Sequence, residues 1–387
     1  MLKKSLIYIK IFSTRLRNTN LIIHRNMKKI LCLSDRLGYR GGAERQLSGL
    51  AYFLSNNGYD VKVCTYLKQN TPSVLEINYG MNYICLDSAG GKYKKLWAVY
   101  KYIKKEKFDI IITYKDGPSI IGCILKKLGG HFKLIVSERN TTQKNDRKTK
   151  IKMWLFKSAD YIVPNSYSQE SFIKQNYPQI QQKTHVIINY LDKERFVPQI
   201  DRKASGDVIK CIVVASIKEQ KNPLNLISAL YRLKKEGVRI KVDWYGNTNN
   251  KVLYDKCCQS IDELDLSDYI QFFSAEEKIH EIYPKYDMMC LPSLYEGFPN
   301  ALCEAMSCGL PVIASNVCDN PVILNNGEFG LLFDPLSPEC IASAFKDILS
   351  YNREKLNAIG IECRKRITNL CAEEKFVAEY IKLIESE

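Results

Sequence analysis

The chain has 387 residues and a formal charge of +15, from 57 Lys and Arg against 42 Asp and Glu. That length supports two domains with full cores, at roughly 150 residues each, and 45% hydrophobic with 26% charged residues excludes collagen-like, mucin-like and wholly disordered chains. No run reaches the ~18 apolar residues that a bilayer-spanning helix needs, and the basic balance points to an anionic partner without choosing between nucleotide, membrane surface and nucleic acid.

Residues 1–26 carry six Lys or Arg and no acid. Their apolar pieces are short and lack the long apolar stretch and cleavage site of a signal peptide. They are expected to be a basic extension outside the fold, with a basic arm on a membrane surface as the alternative. Met27-Lys28-Lys29-Ile30-Leu31-Cys32-Leu33 then leads into a buried strand. Strand-length apolar runs follow at 30–34, 61–66, 109–114, 133–137, 161–165 and 186–189, with helical stretches between them such as 43–56 and 96–105. Buried strands joined by helices predict a parallel sheet covered on both faces, here a first domain over 27–195.

The polar stretch from Leu191 to Asp207 breaks this rhythm, and Pro198 and Gly206 mark a linker at 196–207. The alternation restarts in a second domain over 208–371. Its strands are expected at 209–215, 240–245, 269–273, 288–292 and 311–314, with helices at 223–235 and 299–308. Helices at 338–349, 354–368 and 372–385 close the chain, and the tail 372–387 is a candidate for crossing back onto the first domain. The expected fold class is α/β, two Rossmann-like doubly wound parallel-sheet domains facing across a cleft. Such sheets bind ligands beyond the carboxyl ends of their strands, so the cleft is the natural site.

Fourteen cysteines are scattered through apolar runs with no Cys-x-x-Cys pair, and only four His are present. Zinc-ligand spacing is therefore absent. These cysteines read as small reduced core residues of a cytoplasmic protein.

Three stretches can carry chemistry. In Pro292-Ser293-Leu294-Tyr295-Glu296-Gly297-Phe298-Pro299-Asn300-Ala301-Leu302-Cys303-Glu304, a strand ends, a turn holds Glu296, and a helix carries Glu304 eight residues on. Gly297 lets the backbone approach a ligand, and the amides near Phe298 and Asn300 open a helix where an anion is favoured. One carboxylate can face a sugar while the other grips vicinal hydroxyls; the plain alternative is two surface glutamates at a helix start. In Ser216-Ile217-Lys218-Glu219-Gln220-Lys221, two lysines lie between a strand end and a helix start, which makes either a phosphate corner or two solvated side chains. In Arg40-Gly41-Gly42-Ala43-Glu44-Arg45, a glycine pair precedes a helix and frees amides for a phosphate or for another backbone. This is not a dinucleotide fingerprint.

Together these segments, from about Met27 to the C-terminus, resemble the family 4 retaining glycosyltransferases of the GT-B fold. The Glu-x7-Glu stretch, with its Gly-Phe-Pro and the later Gly309-Leu310-Pro311-Val312, is the specific part of the likeness. The Gly-Gly-Ala-Glu-Arg opening and Val136-Ser137-Glu138-Arg139-Asn140 look like bacterial members that build capsule, O-antigen or lipopolysaccharide. The resemblance implies that Glu296 contacts the donor sugar and Lys221 neutralises the diphosphate, as the catalytic pair. It implies that Glu304 holds the ribose hydroxyls, and that Gly297, Phe298, Pro299 and Asn300 surround sugar and phosphates, with Gly41 and Gly42 across the cleft. It further implies a nucleotide-diphosphate sugar as donor, usually UDP with GDP open, a glycan or lipid-linked acceptor, retention with the leaving phosphate as base, and no metal or other cofactor.

The chain also departs from the family pattern. Ser216 stands where many members have an Arg, so either Lys218 is the substitute cation or the phosphates are held more weakly. Glu138 and Arg139 stand near the place of a family His, on the acceptor side. Lysines between 92 and 107 and basic residues between 147 and 157 interleave with Trp154 and other apolar residues. They read as solvated helix faces or as a surface resting on anionic lipid, peripheral to the inner face of the cytoplasmic membrane. No nucleic-acid motif accompanies the charge, so nucleic acid is not an expected partner. Two other readings stay open: a sugar-nucleotide epimerase on the same fold, and a non-catalytic sugar-nucleotide-binding module.

Overall fold

The strand-length runs become two separate six-stranded sheets in the computed structural model of the chain, which describes residues 27–38, 41–69, 72–87, 90–139, 144–198 and 208–387. The extension 1–26 and most of the linker, 199–207, lie outside the described residues. In the first domain β1 (Lys29–Ser34), β2 (Asp60–Thr65), β3 (Ile84–Cys85), β4 (Ile110–Tyr114), β5 (Lys133–Glu138) and β6 (Tyr161–Pro164) are all parallel, in the order β3-β2-β1-β4-β5-β6. All five residues of β4, Ile-Ile-Ile-Thr-Tyr, are buried. A strand covered on both faces has no solvent side, which is why its sequence is a continuous apolar run rather than an alternation.

Alternate side chains of these strands feed two cores. Ile30, Cys32, Ile110 and Ile112 pack with Leu47, Leu50 and Leu54 of α1 (Gly42–Asn56). Leu31, Leu33, Ile111 and Leu134 pack with the opposite layer. That layer holds α3 (Lys92–Glu106), α4 (Asp116–Lys127), α5 (Arg147–Phe156) and α6 (Tyr167–Asn176), and the short α2 (Val74–Tyr79) starts from a capping box at Ser73 and Glu76.

The second domain repeats the plan with β7 (Ile209–Val214), β8 (Ile240–Tyr245), β9 (Ile270–Phe273), β10 (Met288–Leu291), β11 (Val312–Ser315) and β12 (Leu331–Phe333), in the order β12-β11-β10-β7-β8-β9. Its helices are α7 (Pro223–Lys235), α8 (Lys251–Glu263), α9 (Ile279–Ile282), α10 (Asn300–Ser307), α11 (Asn320–Ile323), α12 (Pro338–Leu349) and α13 (Arg353–Leu370). The two doubly wound halves are those that the sequence predicts. The last helix, α14 (Glu373–Glu385), packs Phe376, Tyr380 and Leu383 into the first domain's core beside α1. Its final carbonyls accept from Lys28 and Lys133, at 3.1 and 3.2 Å, which satisfies groups a helix end leaves without intrahelical partners.

One expected strand is not a sheet member. Residues 186–189 run beside β6, where His185 and Ile187 donate to the carbonyls of Ile162 and Pro164. The chain then leaves the sheet edge because Asn189 and Tyr190 turn toward the cleft, where both are bonded. Two short edge strands, β3 and β12, escape the sequence reading because two or three residues carry no measurable period.

All fourteen cysteines are free thiols, and only Cys85 and Cys340 are exposed. Burial pushes the Cys32 and Cys64 thiols up to about 12, which suppresses the reactive thiolate. Titration of the native protein with a thiol reagent should therefore modify Cys85 and Cys340 first, and the core thiols only after denaturation. Rapid reaction of Cys32 under native conditions would contradict this packing.

Candidate active site

Where β7 ends, Trp244 donates its ring N–H to the Ala215 carbonyl at 2.7 Å and Ile217 donates its amide to the Asn247 carbonyl at 3.0 Å. These bonds hold Ser216 at the carboxyl edge of the second sheet. A single 3-10 turn over Glu219–Lys221 follows, and Asn222 takes the left-handed conformation at φ +59° before Pro223 opens α7. Asn tolerates this region better than most residues. Its side-chain N–H groups donate to the carbonyls of Pro292 and Pro335 at 3.1 and 2.7 Å.

Gln220 adds two further stitches. Its side chain donates to the Tyr295 carbonyl and its own carbonyl accepts from the Leu294 amide, both at 2.8 Å. The lysine loop and the glutamate turn, some 75 residues apart in sequence, are thus tied into one piece. Lys221 forms an ion pair with Glu296, and the Ser293 hydroxyl donates to the same carboxylate oxygen at 2.6 Å. Glu296 is only 6% exposed, so the pair lies on the floor of the site rather than in open solvent.

The turn continues through Gly297 and the buried Phe298 and Pro299 into α10. Among the described residues no side chain caps this helix N-terminus, so its first amides face the site with their partial positive charge. Glu304, one turn on and 5% exposed, receives a hydrogen bond from Tyr283 at 3.3 Å. Its other oxygen accepts from Arg45 of the opposite domain at 2.7 Å. The Glu304 carboxylate raises the Arg45 guanidinium above its ordinary value. Burial first, and Glu304 second, push the Tyr283 hydroxyl well up.

The two domains also meet at Gly42 and Asn300. A Cβ built on Gly42 would stand 2.6 Å from the side-chain nitrogen of Asn300, so a larger residue there would push the Asn300 side chain from its place. Asn189 donates to the Asn300 side-chain oxygen at 2.7 Å and accepts from Arg139 at 2.8 Å. Arg139 also donates to the hydroxyls of Tyr114 and Tyr380, at 2.7 and 2.6 Å. Gly41 sits just before α1, whose first-turn Arg45 amide donates to its carbonyl at 3.1 Å.

Beside these contacts lies a cavity of about 380 Å³, lined by Ser216, Tyr245, Gly246, Asn247, Arg45 and Glu304 among others. Gly246 is held bare for a reason. An added Cβ would lie 1.8 Å from the Ala215 carbonyl oxygen, inside any allowed contact. Lys218 stands exposed nearby, and burial, then repulsion from Lys221, hold its ammonium below the usual lysine range.

The structure therefore brings Glu304, Asn300 and Gly42 together where the domains meet, sets Ser216 and Glu304 in one cavity, and pairs Lys221 with Glu296 on the loops tied together by Gln220. It parts Glu138 from Arg139. Glu138 turns into an ion pair with Lys152 of α5, which also reaches Asp116 at 3.4 Å, while Arg139 braces the cleft through Asn189. Sequence reasoning left Arg45, Asn189 and Gly246 unassigned. The first two touch the site only through side chains of another domain or loop, and the third is a lone strand-end glycine. Among the described residues no group of three His, Cys, Asp or Glu side chains converges as a metal site, and no helix is long and apolar enough to cross a membrane.

A family model described as glycosyltransferase family 4 matches residues 40–195, and one described as glycosyl transferases group 1 matches residues 198–366. The chain belongs to the family 4 glycosyltransferases. Among the relatives of this glycosyltransferase is the Escherichia coli UDP-Gal:alpha-D-GlcNAc-diphosphoundecaprenol alpha-1,3-galactosyltransferase, 26% identical over 295 residues, 71% of this chain and 75% of the relative. A second is the Campylobacter jejuni N-acetylgalactosamine-N,N'-diacetylbacillosaminyl-diphospho-undecaprenol 4-alpha-N-acetylgalactosaminyltransferase, 25% identical over 336 residues, 80% of this chain and 87% of the relative. Anabaena HepE, solved in complex with UDP and glucose, superposes with a TM-score of 0.81 at 17% identity, covering 93% of this chain and all of the other. That likeness establishes the GT-B fold.

Proposed function

We propose that this glycosyltransferase moves a sugar from a nucleotide-diphosphate sugar, of the UDP type, to a lipid-linked glycan with retention, in bacterial surface polysaccharide synthesis. The observation that carries the reading is the Lys221–Glu296 pair, on the loop that starts at Ser216, a wall of the cavity that also reaches Glu304. In this reading the nucleoside occupies the cavity, its ribose hydroxyls donate to Glu304, and the diphosphate lies over Lys221 and the first amides of α10. Glu296 faces the sugar.

As the bond from sugar to phosphate lengthens, negative charge grows on the leaving diphosphate. A fixed ammonium and helix amides aimed at that charge lower the barrier, because their interaction strengthens along the reaction. The leaving phosphate itself takes the proton of the acceptor hydroxyl as the new glycosidic bond forms. This assigns Glu296 to positioning the sugar rather than to attack on it, and assigns charge neutralisation to protein cations rather than a metal. Relatives that act on diphosphoundecaprenol-linked sugars and a fold neighbour solved with UDP support the acceptor class and the nucleotide.

The test incubates the full chain with UDP-sugars, with and without an undecaprenyl-diphosphate-linked sugar. The expected result is UDP release and a lengthened glycolipid only when the acceptor is present, with the anomeric configuration of the donor kept in the product. An isomerised UDP-sugar formed without acceptor would make the chain an epimerase. Donor binding without turnover over a broad panel of donors and acceptors would make it a binding module.

A further inference from the structure

We propose that Asp319 is a positioning residue that latches the second domain onto α6 of the first and, through Cys318, holds the Glu296 turn there. The loop after β11 shows how. The Asn320 side chain donates to the Ser315 carbonyl at 2.9 Å, which folds the loop back on the strand end. Cys318 takes φ +50°, the left-handed region where a residue with a Cβ is uncommon and strained. This turn sends two neighbouring side chains to different partners. The Cys318 sulfur accepts from the Glu296 amide at 3.4 Å. Asp319 is the N-cap residue of the short α11, yet its carboxylate caps a different helix. One oxygen accepts from the Tyr167 amide at 2.7 Å and the other from the Ser168 amide at 2.8 Å.

Those two amides open α6. A helix leaves its leading N–H groups without intrahelical partners. In α6 the third of them, from Gln169, is met at 3.2 Å by Ser166, the helix's own N-cap, and the first two are met from the other domain. The cap of a first-domain helix is thus shared between the domains, and it is complete while they are together. Asp319 is 1% exposed, so its charge lies against the positive end of α6 and out of water. Burial raises its carboxyl above the usual range, against the pull of the two amides. The cost of covering the charge works against the bonds and keeps the latch reversible.

The stretch from Glu296 to Glu304 is held to the first domain at both ends. At the far end Arg45 grips Glu304 and Asn189 grips Asn300. At the near end Cys318 holds the Glu296 amide and its neighbour Asp319 crosses to α6. Opening the latch leaves the second domain's own donor contacts in place and frees the Glu296 turn from the first domain. Its effect therefore falls on kcat more than on donor KM. This role of Glu296 rests on the transferase reading; the latch itself does not.

The test uses the full chain, first without substrate. Asp319→Ala should speed hydrogen exchange at the start of α6 and enlarge the radius of gyration measured by X-ray scattering. Asp319→Asn keeps one accepting oxygen but turns an N–H group toward the other amide, so it should fall between Asp319→Ala and the parent. Tyr167→Pro approaches the same bond from the other side, because proline suits the first helical position and deletes the amide. Tyr167→Ala keeps the amide and should match the parent in exchange and scattering. Tyr167→Pro and Asp319→Ala together should open the protein little more than either alone. With donor and acceptor present, Asp319→Ala should lower kcat roughly tenfold or more while donor KM changes about threefold or less. Parent-like exchange and scattering in folded Asp319→Ala and Tyr167→Pro would overturn the latch. An opened Asp319→Ala protein with the parent's kcat would overturn the positioning role. A parent chain that transfers no sugar, with its latch variants still opened, would uphold the latch and remove the transferase reading, and the role of Glu296 with it.

Discussion

Replacing Lys221 by Ala should lower kcat by roughly a hundredfold to a thousandfold while the donor KM changes far less. The ammonium already has a partner in Glu296, so its contact with the ground-state donor adds little. It carries three N–H donors, and only as charge builds on the leaving phosphate does it gain a second strong acceptor. An interaction gained mainly in the transition state appears in kcat. The same substitution leaves the Glu296 carboxylate, nearly buried, with the Ser293 hydroxyl at 2.6 Å and no ammonium, so the melting temperature should fall as well. Lys221→Ala combined with Glu296→Gln separates the two effects. The double variant should recover stability, because no unpaired charge stays behind, and it should not recover turnover. A folded Lys221→Ala protein that turns over like the parent would remove the phosphate role.

The fold was legible in the sequence because it is written in runs of apolar residues. β4 and β10, buried along their whole length, could hardly be read as anything but central strands of a covered parallel sheet. Residues 186–189 show the limit of that signal. An apolar run alone does not distinguish a strand from a segment that bonds one edge and departs.

The site was legible where one segment held its own logic, as in the turn from Pro292 to Glu304. It was not legible where two domains make it. Arg45 looks like any first-turn arginine until the second domain presents Glu304 at 2.7 Å. Asn189 is an ordinary loop asparagine until it links Arg139 to Asn300. Glu138 and Arg139, neighbours in sequence, part where β5 ends: Glu138, its last residue, pairs with Lys152, while Arg139, just past the strand, bonds Asn189. Only one of them could reach the cleft.

The Arg45–Glu304 pair should behave as a fastening between the domains that the donor unties. Arg45 reaches across to Glu304 with a charge, and the carboxylate is almost buried. Arg45→Ala and Glu304→Ala should each lower stability, and the double variant should lose less than their sum. A coupling of about 0.5–3 kcal/mol is expected for partners in direct contact. Glu304→Ala should in addition weaken UDP binding by about 1–3 kcal/mol, through lost hydrogen bonds from ribose to a charged acceptor. Calorimetry showing unchanged UDP affinity would end that assignment. The cycle repeated in saturating UDP distinguishes a fastening from a fixed strut. If ribose hydroxyls take over the carboxylate oxygen that Arg45 now holds, the coupling shrinks when nucleotide is bound. If the coupling is the same with and without UDP, Arg45 and Glu304 form a permanent inter-domain brace, and the ribose must be held elsewhere.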